Sequence, residues 1–247
     1  MNKLKQPDGS MRERAYRHIQ RKISSRELTA GAPVSELPIA NELGISRTPT
    51  REAIRQLAAE GLLEEIPGRG AYVPRLSHSD IADLYDLREA LELHAVRKLA
   101  RQSIGSADLA KLQSVADEVL VLIRALEASG RAILNPEQME RFESSDIAFH
   151  MTLAHLAGNE RILRILNQVR QVVRIFARRH AGHDRRSLEQ IYQDHRDVLE
   201  AIVRHQSDEA AAVLARHIQN SRRERLDQYE QWEREAEAAA GNPFAVR

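Results

Sequence analysis

Residues 36–73 read ELPIANELGISRTPTREAIRQLAAEGLLEEIPGRGAYV, and the punctuation of this stretch decides the fold of the N-terminal part. Ser35 precedes it as a helix N-cap and Gly44 follows Leu43 where helices commonly end in a left-handed residue, so 36–43 is a short helix. Thr48-Pro49 then offers a capping side chain followed by proline at the first helical position. From there Ala53, Ile54, Leu57 and Ala58 form one apolar face up to Gly61. The two helices are joined by the tight turn Gly44-Ile45-Ser46-Arg47. Beyond Gly61, residues 62–66 and 71–73 pair as short strands around Pro67-Gly68-Arg69-Gly70, a glycine-bearing turn. Upstream, residues 12–25 carry Ala15, Ile19 and Ile23 at helical spacing, and Gly31 and Pro33 break that helix. Three helices and a hairpin, in this order, predict a winged helix-turn-helix over residues 11–77.

From Ser79 onward the pattern is helical nearly throughout, with breaks near 103–106, 129–136, 158–159 and 181–186. Five or six helices without a strand predict an antiparallel α-helical bundle over 78–232. Residues 74–78 serve as linker, 1–10 as a flexible N-terminus, and 233–247 as a charged, alanine-rich tail. The predicted fold class is therefore mainly α: a winged helix-turn-helix followed by a helical bundle.

Composition bounds the chemistry. There is no cysteine, which excludes disulfides, thiolate metal sites and cysteine nucleophiles, so any metal must be held by histidine and carboxylates. No run reaches the eighteen or so apolar residues of a membrane span and the N-terminus lacks a signal-peptide core, which predicts a soluble, cytoplasmic protein without a membrane partner. Residues 1–77 carry 13 Lys+Arg against 9 Asp+Glu and the remainder 24 against 27, a basic head on a slightly acidic body, as a polyanion binder would have.

In a helix-turn-helix the start of the second helix meets base edges, so hydrogen-bond donors belong there. That segment is Ser46-Arg47-Thr48-Pro49-Thr50-Arg51. An arginine fork matches O6 and N7 of guanine, and serine or threonine hydroxyls serve phosphates. Arg47 and Arg51, at i and i+4, project together. Arg69 stands between Gly68 and Gly70 at the hairpin tip, where the backbone can approach a groove or phosphate closely. Two arginines at this spacing also occur on any solvated helix face; the turn before them and the hairpin after them favour the DNA reading.

The run from Ala40 to Ile54, with Leu57, Glu60-Gly61-Leu62 and Gly68-Arg69-Gly70-Ala71, resembles the signature of the GntR family of regulators. The resemblance implies base contacts by Arg47 and Arg51, phosphate or base contacts by Ser46 and Thr48, and wing contacts by Gly68 and Arg69. It departs at Leu37-Pro38, where some members of the FadR-like branch carry an arginine.

In the helical part, Asp146 and His150 at i and i+4 leave one face of one helix, while His195 and His217 lie on two others. Three imidazoles and a carboxylate meeting at one interior point would form a Zn, Mn or Ni ligand set. Against this, the chain has ten histidines, most of which must be ordinary surface or capped residues. The residues 146–150, Gly158-Asn159, His195, Ala215-Arg216-His217-Ile218 and the opening 86–92 are similar to the FCD effector domain of the FadR-like branch. That resemblance implies a divalent metal on Asp146, His150, His195 and His217, a small carboxylate effector completing its coordination, and a homodimer on a near-palindromic operator, with repression relieved by the effector. Arg88 matches a cavity-facing position suited to gripping a carboxylate; a surface ion pair with Glu92 is its alternative. Asn159 lines the cavity or caps a helix end. Two other functions suit the same residues: a metal-dependent hydrolase fused to a DNA-binding head, and an effector-blind DNA-binding protein.

Overall fold

The computed structural model describes residues 9–176 and 182–240, which form two units, one reaching Leu76 and the other beginning at Ser77. The predicted flexible N-terminus, the start of the 181–186 break and the end of the tail lie partly outside these residues.

In the first unit, α1 (Met11–Ser24) is capped by the Ser10 hydroxyl accepting from Glu13 N–H, and it buries Ala15, Ile19 and Ile23. Helix α2 (Glu36–Leu43) ends at Gly44, whose φ of 64° is the left-handed conformation that closes the turn. An added Cβ at Gly44 would meet nothing within 4 Å, so only backbone strain opposes a side chain there. Gly44→Ala is expected to lower the unfolding free energy of this unit by about 1–2 kcal/mol, and Gly44→Asn by less, in urea titrations followed by circular dichroism.

Helix α3 (Arg47–Ala59) starts two residues before the proline-based expectation: Ser46 is its N-cap, in extended conformation, and Pro49 is the third helical residue. Proline is tolerated there because the first four N–H groups of a helix have no partner within it. Ser46 makes no side-chain capping bond, nor does Ser35 before α2. Thr50, Ala53, Ile54 and Leu57 face the core with Leu62 and Leu63.

Strands β2 (Glu64–Ile66) and β3 (Gly70–Tyr72) form the predicted hairpin, and β1 (Pro33–Val34) pairs antiparallel with β3 to give the order β1-β3-β2. Pro33, in the sequence only a helix breaker, begins this short edge strand, while Gly31 N–H and Val73 N–H donate across to Val73 O and Ala32 O. A two-residue strand is too short for alternation to reveal.

The second unit contains α4 (His78–Ala100), α5 (Ser106–Ser129), α6 (Pro136–Leu156), α7 (Glu160–Phe176), α8 (Arg185–Val203) and α9 (Ser207–Ala240). Ser77 with Asp80 and Asn135 with Gln138 form reciprocal capping boxes that fix where α4 and α6 begin. Helix α4 packs on α9 and α6, α5 on α6 and α8, and α8 on α9. Val119, Leu122, Leu126, Phe142 and Leu188 supply an apolar core from α5, α6 and α8. The helix α9 runs through Ala240, so the part of the predicted tail up to that residue is helical. Among the described residues no helix is long and apolar enough to cross a membrane.

Candidate functional site

The six residues singled out for DNA reading are exposed on the first unit. Ser46, Arg47, Thr48 and Arg51 occupy the N-cap and first turns of α3, and Gly68 and Arg69 the tip of the β2–β3 hairpin. Gly68 and Gly70 take φ values of 75° and 95°, and a Cβ at either would meet nothing within 4 Å, so the wing tip presents bare backbone. The Ser46 hydroxyl is uncommitted to capping. Arg47 and Arg51 both pair with Glu36 of α2.

In the helical unit Asp146, His150, His195 and His217 offer one ligand atom each, all within 4.8 Å of one another. Asp146 Oδ1 lies 3.4 Å from His150 Nε2, 3.5 Å from His195 Nε2 and 3.7 Å from His217 Nε2, and the Nε2 atoms of His150 and His217 are 3.2 Å apart. Ligand atoms at about 2.1 Å from one divalent ion stand roughly 3.0–3.5 Å from each other, so this spacing suits such an ion. The three imidazoles are buried. His195 stacks on Phe149 with ring centroids 3.9 Å apart; neither of its nitrogens makes a well-formed hydrogen bond among the described residues, and the Asp146 carboxylate is the group that faces its Nε2.

A carboxylate behind His150 sets its tautomer, and a second faces His217. His150 Nδ1 lies 2.5 Å from Glu92 Oε2, and His217 Nδ1 3.7 Å from Asp194 Oδ2. With Nδ1 carrying the proton, Nε2 turns a lone pair toward the shared point, the usual support of a metal-binding histidine. Burial, then the Arg170 charge, pushes the His150 imidazole down, whereas for His217 burial is outweighed by hydrogen bonding to Asp146 and Asp194. Burial pulls the His195 imidazole down to about 3 against the attraction of the facing Asp146 carboxylate. Asp146 itself would be raised by burial, but the three imidazoles around it, His150 foremost, hold it well below the carboxylate range. The site thus favours an ionised Asp146 and neutral His150 and His195, as ligands must be, while His217 is pushed the other way and would give up its proton on binding an ion.

Arg88 is buried, 5 % exposed. It donates from Nε to Glu92 Oε1 at 2.7 Å, and its Nη2 stands 3.2 Å from His150 Nε2. The two sequence alternatives for Arg88 therefore merge: it pairs with Glu92, inside the protein and against the histidine set. Asn159 is instead the N-cap of α7: its Oδ1 accepts from the N–H groups of Arg161 and Ile162, an assignment that commits this oxygen to the backbone.

Arg170 and Asp194 escaped the sequence reading, and Glu92 entered it only as a surface partner of Arg88. Arg170 of α7 donates to Glu92 Oε1 at 3.0 Å and to Asp146 Oδ2 at 3.4 Å. Its signal was a charge on the stripe of buried Leu166, Val169 and Val173. Glu92 binds both guanidiniums, and Asp194 takes Arg216 at 2.8 Å besides facing His217. Burial raises the Glu92 carboxyl, but the charges of Arg170 and Arg88 hold it well below its ordinary value.

The chain matches the gntR family of bacterial regulatory proteins over residues 11–73 and the FCD domain over residues 83–220. It is 30% identical over 189 residues to the Nta operon transcriptional regulator of Aminobacter aminovorans, covering 76% of this chain and 82% of that protein. It is 24% identical over 215 residues to the transcriptional repressor RspR of Escherichia coli, covering 86% and 88%. The fold is shared with E. coli McbR/YncC, at a TM-score of 0.68 and 22% identity over 90% of this chain and 99% of that one.

Proposed function

Since the chain belongs to the GntR family and carries its FCD domain, and is therefore a DNA-binding transcription regulator rather than an enzyme, we propose that it is a repressor released from DNA by a small organic acid. The observation that carries this reading is the convergence of Asp146, His150, His195 and His217 beside two buried guanidiniums. The residues fit a divalent ion: the donors are hard and borderline, Asp146 is ionised, and the buried His195 makes no well-formed hydrogen bond among the described residues. A bound ion of the Zn, Mn or Ni kind would supply Lewis-acid coordination to an effector carboxylate. Arg88 and Arg170 stand where a bidentate grip on the same anion is possible, and Glu92 holds both guanidiniums in place meanwhile.

On the DNA side, Arg47 and Arg51 read base edges, Ser46 and Thr48 bind phosphate or base, and Gly68 and Arg69 bring the wing to the backbone. A homodimer would place two such heads on a near-palindromic operator, since a two-fold protein demands two-fold half-sites. The effector can shift operator affinity only by binding the two head arrangements unequally. RspR, a relative, is named a repressor, which supports that sign.

The test is a screen of small carboxylates by thermal shift on metal-loaded protein, followed by binding to a duplex enriched from a random pool by this protein. A carboxylate that raises Tm and weakens duplex binding at least about tenfold, within the usual range of allosteric coupling, supports the reading. Duplex affinity indifferent to every carboxylate that binds would leave an effector-blind DNA binder.

A further inference from the structure

Glu36 is the first residue of α2, where a helix favours a negative charge, and it faces the start of α3. Its carboxylate takes both recognition-helix arginines. Arg51 donates from Nε to Oε1 at 2.6 Å and from Nη2 to Oε2 at 3.1 Å; Arg47 donates from Nε and Nη2 to Oε2, each at 3.2 Å. The Glu36 side chain is 23% exposed, against 61% and 50% for Arg47 and Arg51, so the carboxylate is the more fixed member. Both forks are gripped along the edge formed by Nε and Nη2. Their outer edges, Nη1 with the remaining hydrogen of Nη2, make no hydrogen bond to any described residue.

That outer edge can serve a guanine. Its O6 and N7 take two parallel N–H groups from a single guanidinium plane, and a plane already held loses less freedom on making that contact. A phosphate asks less: any free guanidinium, in almost any orientation, will serve. A carboxylate between the two arginines therefore acts differently on the two kinds of contact. It leaves the base-reading edges presented, and it offsets part of the positive charge that holds the protein to DNA of any sequence.

We propose that Glu36 is a positioning and specificity-determining residue for DNA reading, presenting the outer edges of Arg47 and Arg51 to the bases while weakening their hold on phosphates. This rests on the reading that those two arginines contact bases. Other carboxylates of the unit serve other cations: Glu42 pairs with Lys22 and His18, and Glu13 with Arg17. The bridge on the reading face belongs to Glu36.

The experiment uses the full chain and two duplexes, one enriched from a random pool by the unaltered protein and one with the same bases shuffled, in anisotropy titrations across salt. Glu36→Gln is expected to bind the shuffled duplex several-fold more tightly and the enriched duplex no more tightly, so that the affinity ratio falls about tenfold. The salt dependence on the shuffled duplex is expected to steepen by about one released counterion. A residue that merely tied α2 to α3 would change Tm and leave the ratio alone; a ratio preserved within about twofold overturns the proposal. If the glutamine variant does not fold, Glu36→Asp, which keeps the charge and shortens the reach, takes its place: a fallen ratio supports the proposal and a preserved one overturns it. Arg47→Ala and Arg51→Ala separate the layers. If either lowers the ratio, base reading stands and Glu36 is judged on its own result; if neither does, base reading falls and this proposal with it.

Discussion

Glu92→Gln is expected to lower the unfolding free energy by about 3–5 kcal/mol, the usual cost of removing one partner from a buried ion pair. The substitution changes one atom and almost no volume, so a packing loss is negligible. What it removes is the anion shared by Arg88 and Arg170, at 2.7 and 3.0 Å, inside a region where all three side chains are 6% exposed or less. Two guanidiniums would be left desolvated, with Asp146 at 3.4 Å from Arg170 as partial relief. Urea denaturation with an unchanged m-value is the measurement. The surface pair Arg185–Glu189, 60% and 48% exposed, is the control, and its disruption should stay within about 0.5 kcal/mol. The combined replacement of Arg88 and Arg170 by Met and Glu92 by Leu should recover most of the loss, because buried charge networks are seldom more stable than apolar packing of similar volume. A loss under about 1 kcal/mol for Glu92→Gln would mean that water reaches the cluster and screens it.

The N-terminal fold was legible because its signals are local. Gly44, Gly61 and the Pro67–Gly70 turn are conformational demands that a few residues state by themselves, and the apolar face of α3 has the right period. Strand β1 was not legible, since its evidence is its pairing with β3, which lies beyond both α2 and α3 in the chain. The same contrast runs through the helical unit. Asp146 and His150 announce themselves on one turn of one helix, and the resemblance added His195 and His217. Arg170 and Asp194 are read as site residues only once α7 and α8 are packed, because an arginine in an amphipathic helix looks like surface until its stripe is known to be buried. Glu92 was visible only as a surface partner of Arg88; its second and third partners come from α6 and α7. Asn159 shows the converse. Its position next to Gly158 marked a helix boundary correctly, but the boundary belongs to the following helix, whose first N–H groups take its side chain.

Metal removal is expected to reverse the sign of a substitution at His195. In the metal-free protein this ring is buried with no well-formed hydrogen bond at either nitrogen among the described residues, Nε2 merely facing the Asp146 carboxylate at 3.5 Å, a state that costs up to about 1–3 kcal/mol. His195→Leu replaces it by an apolar group of similar size stacked on Phe149, and should leave stability unchanged or improve it when chelator is present. With metal the balance is different. An ion bound only by the folded state at a thousandfold excess over its dissociation constant stabilises by about 4 kcal/mol, and a set reduced from four ligands to three loses most of that. The parent should therefore exceed His195→Leu in Tm under metal and fall level with it or below it under chelator. Elemental analysis should find near-stoichiometric metal in the parent purified without chelator and little in His195→Ala. A parent whose Tm ignores both chelator and added Zn, Mn and Ni would remove the metal from the effector site. The assignment of the reading helix would be untouched, because the roles of Arg47 and Arg51 do not depend on the histidines, and the effector would then have to be an anion held by Arg88 and Arg170 alone.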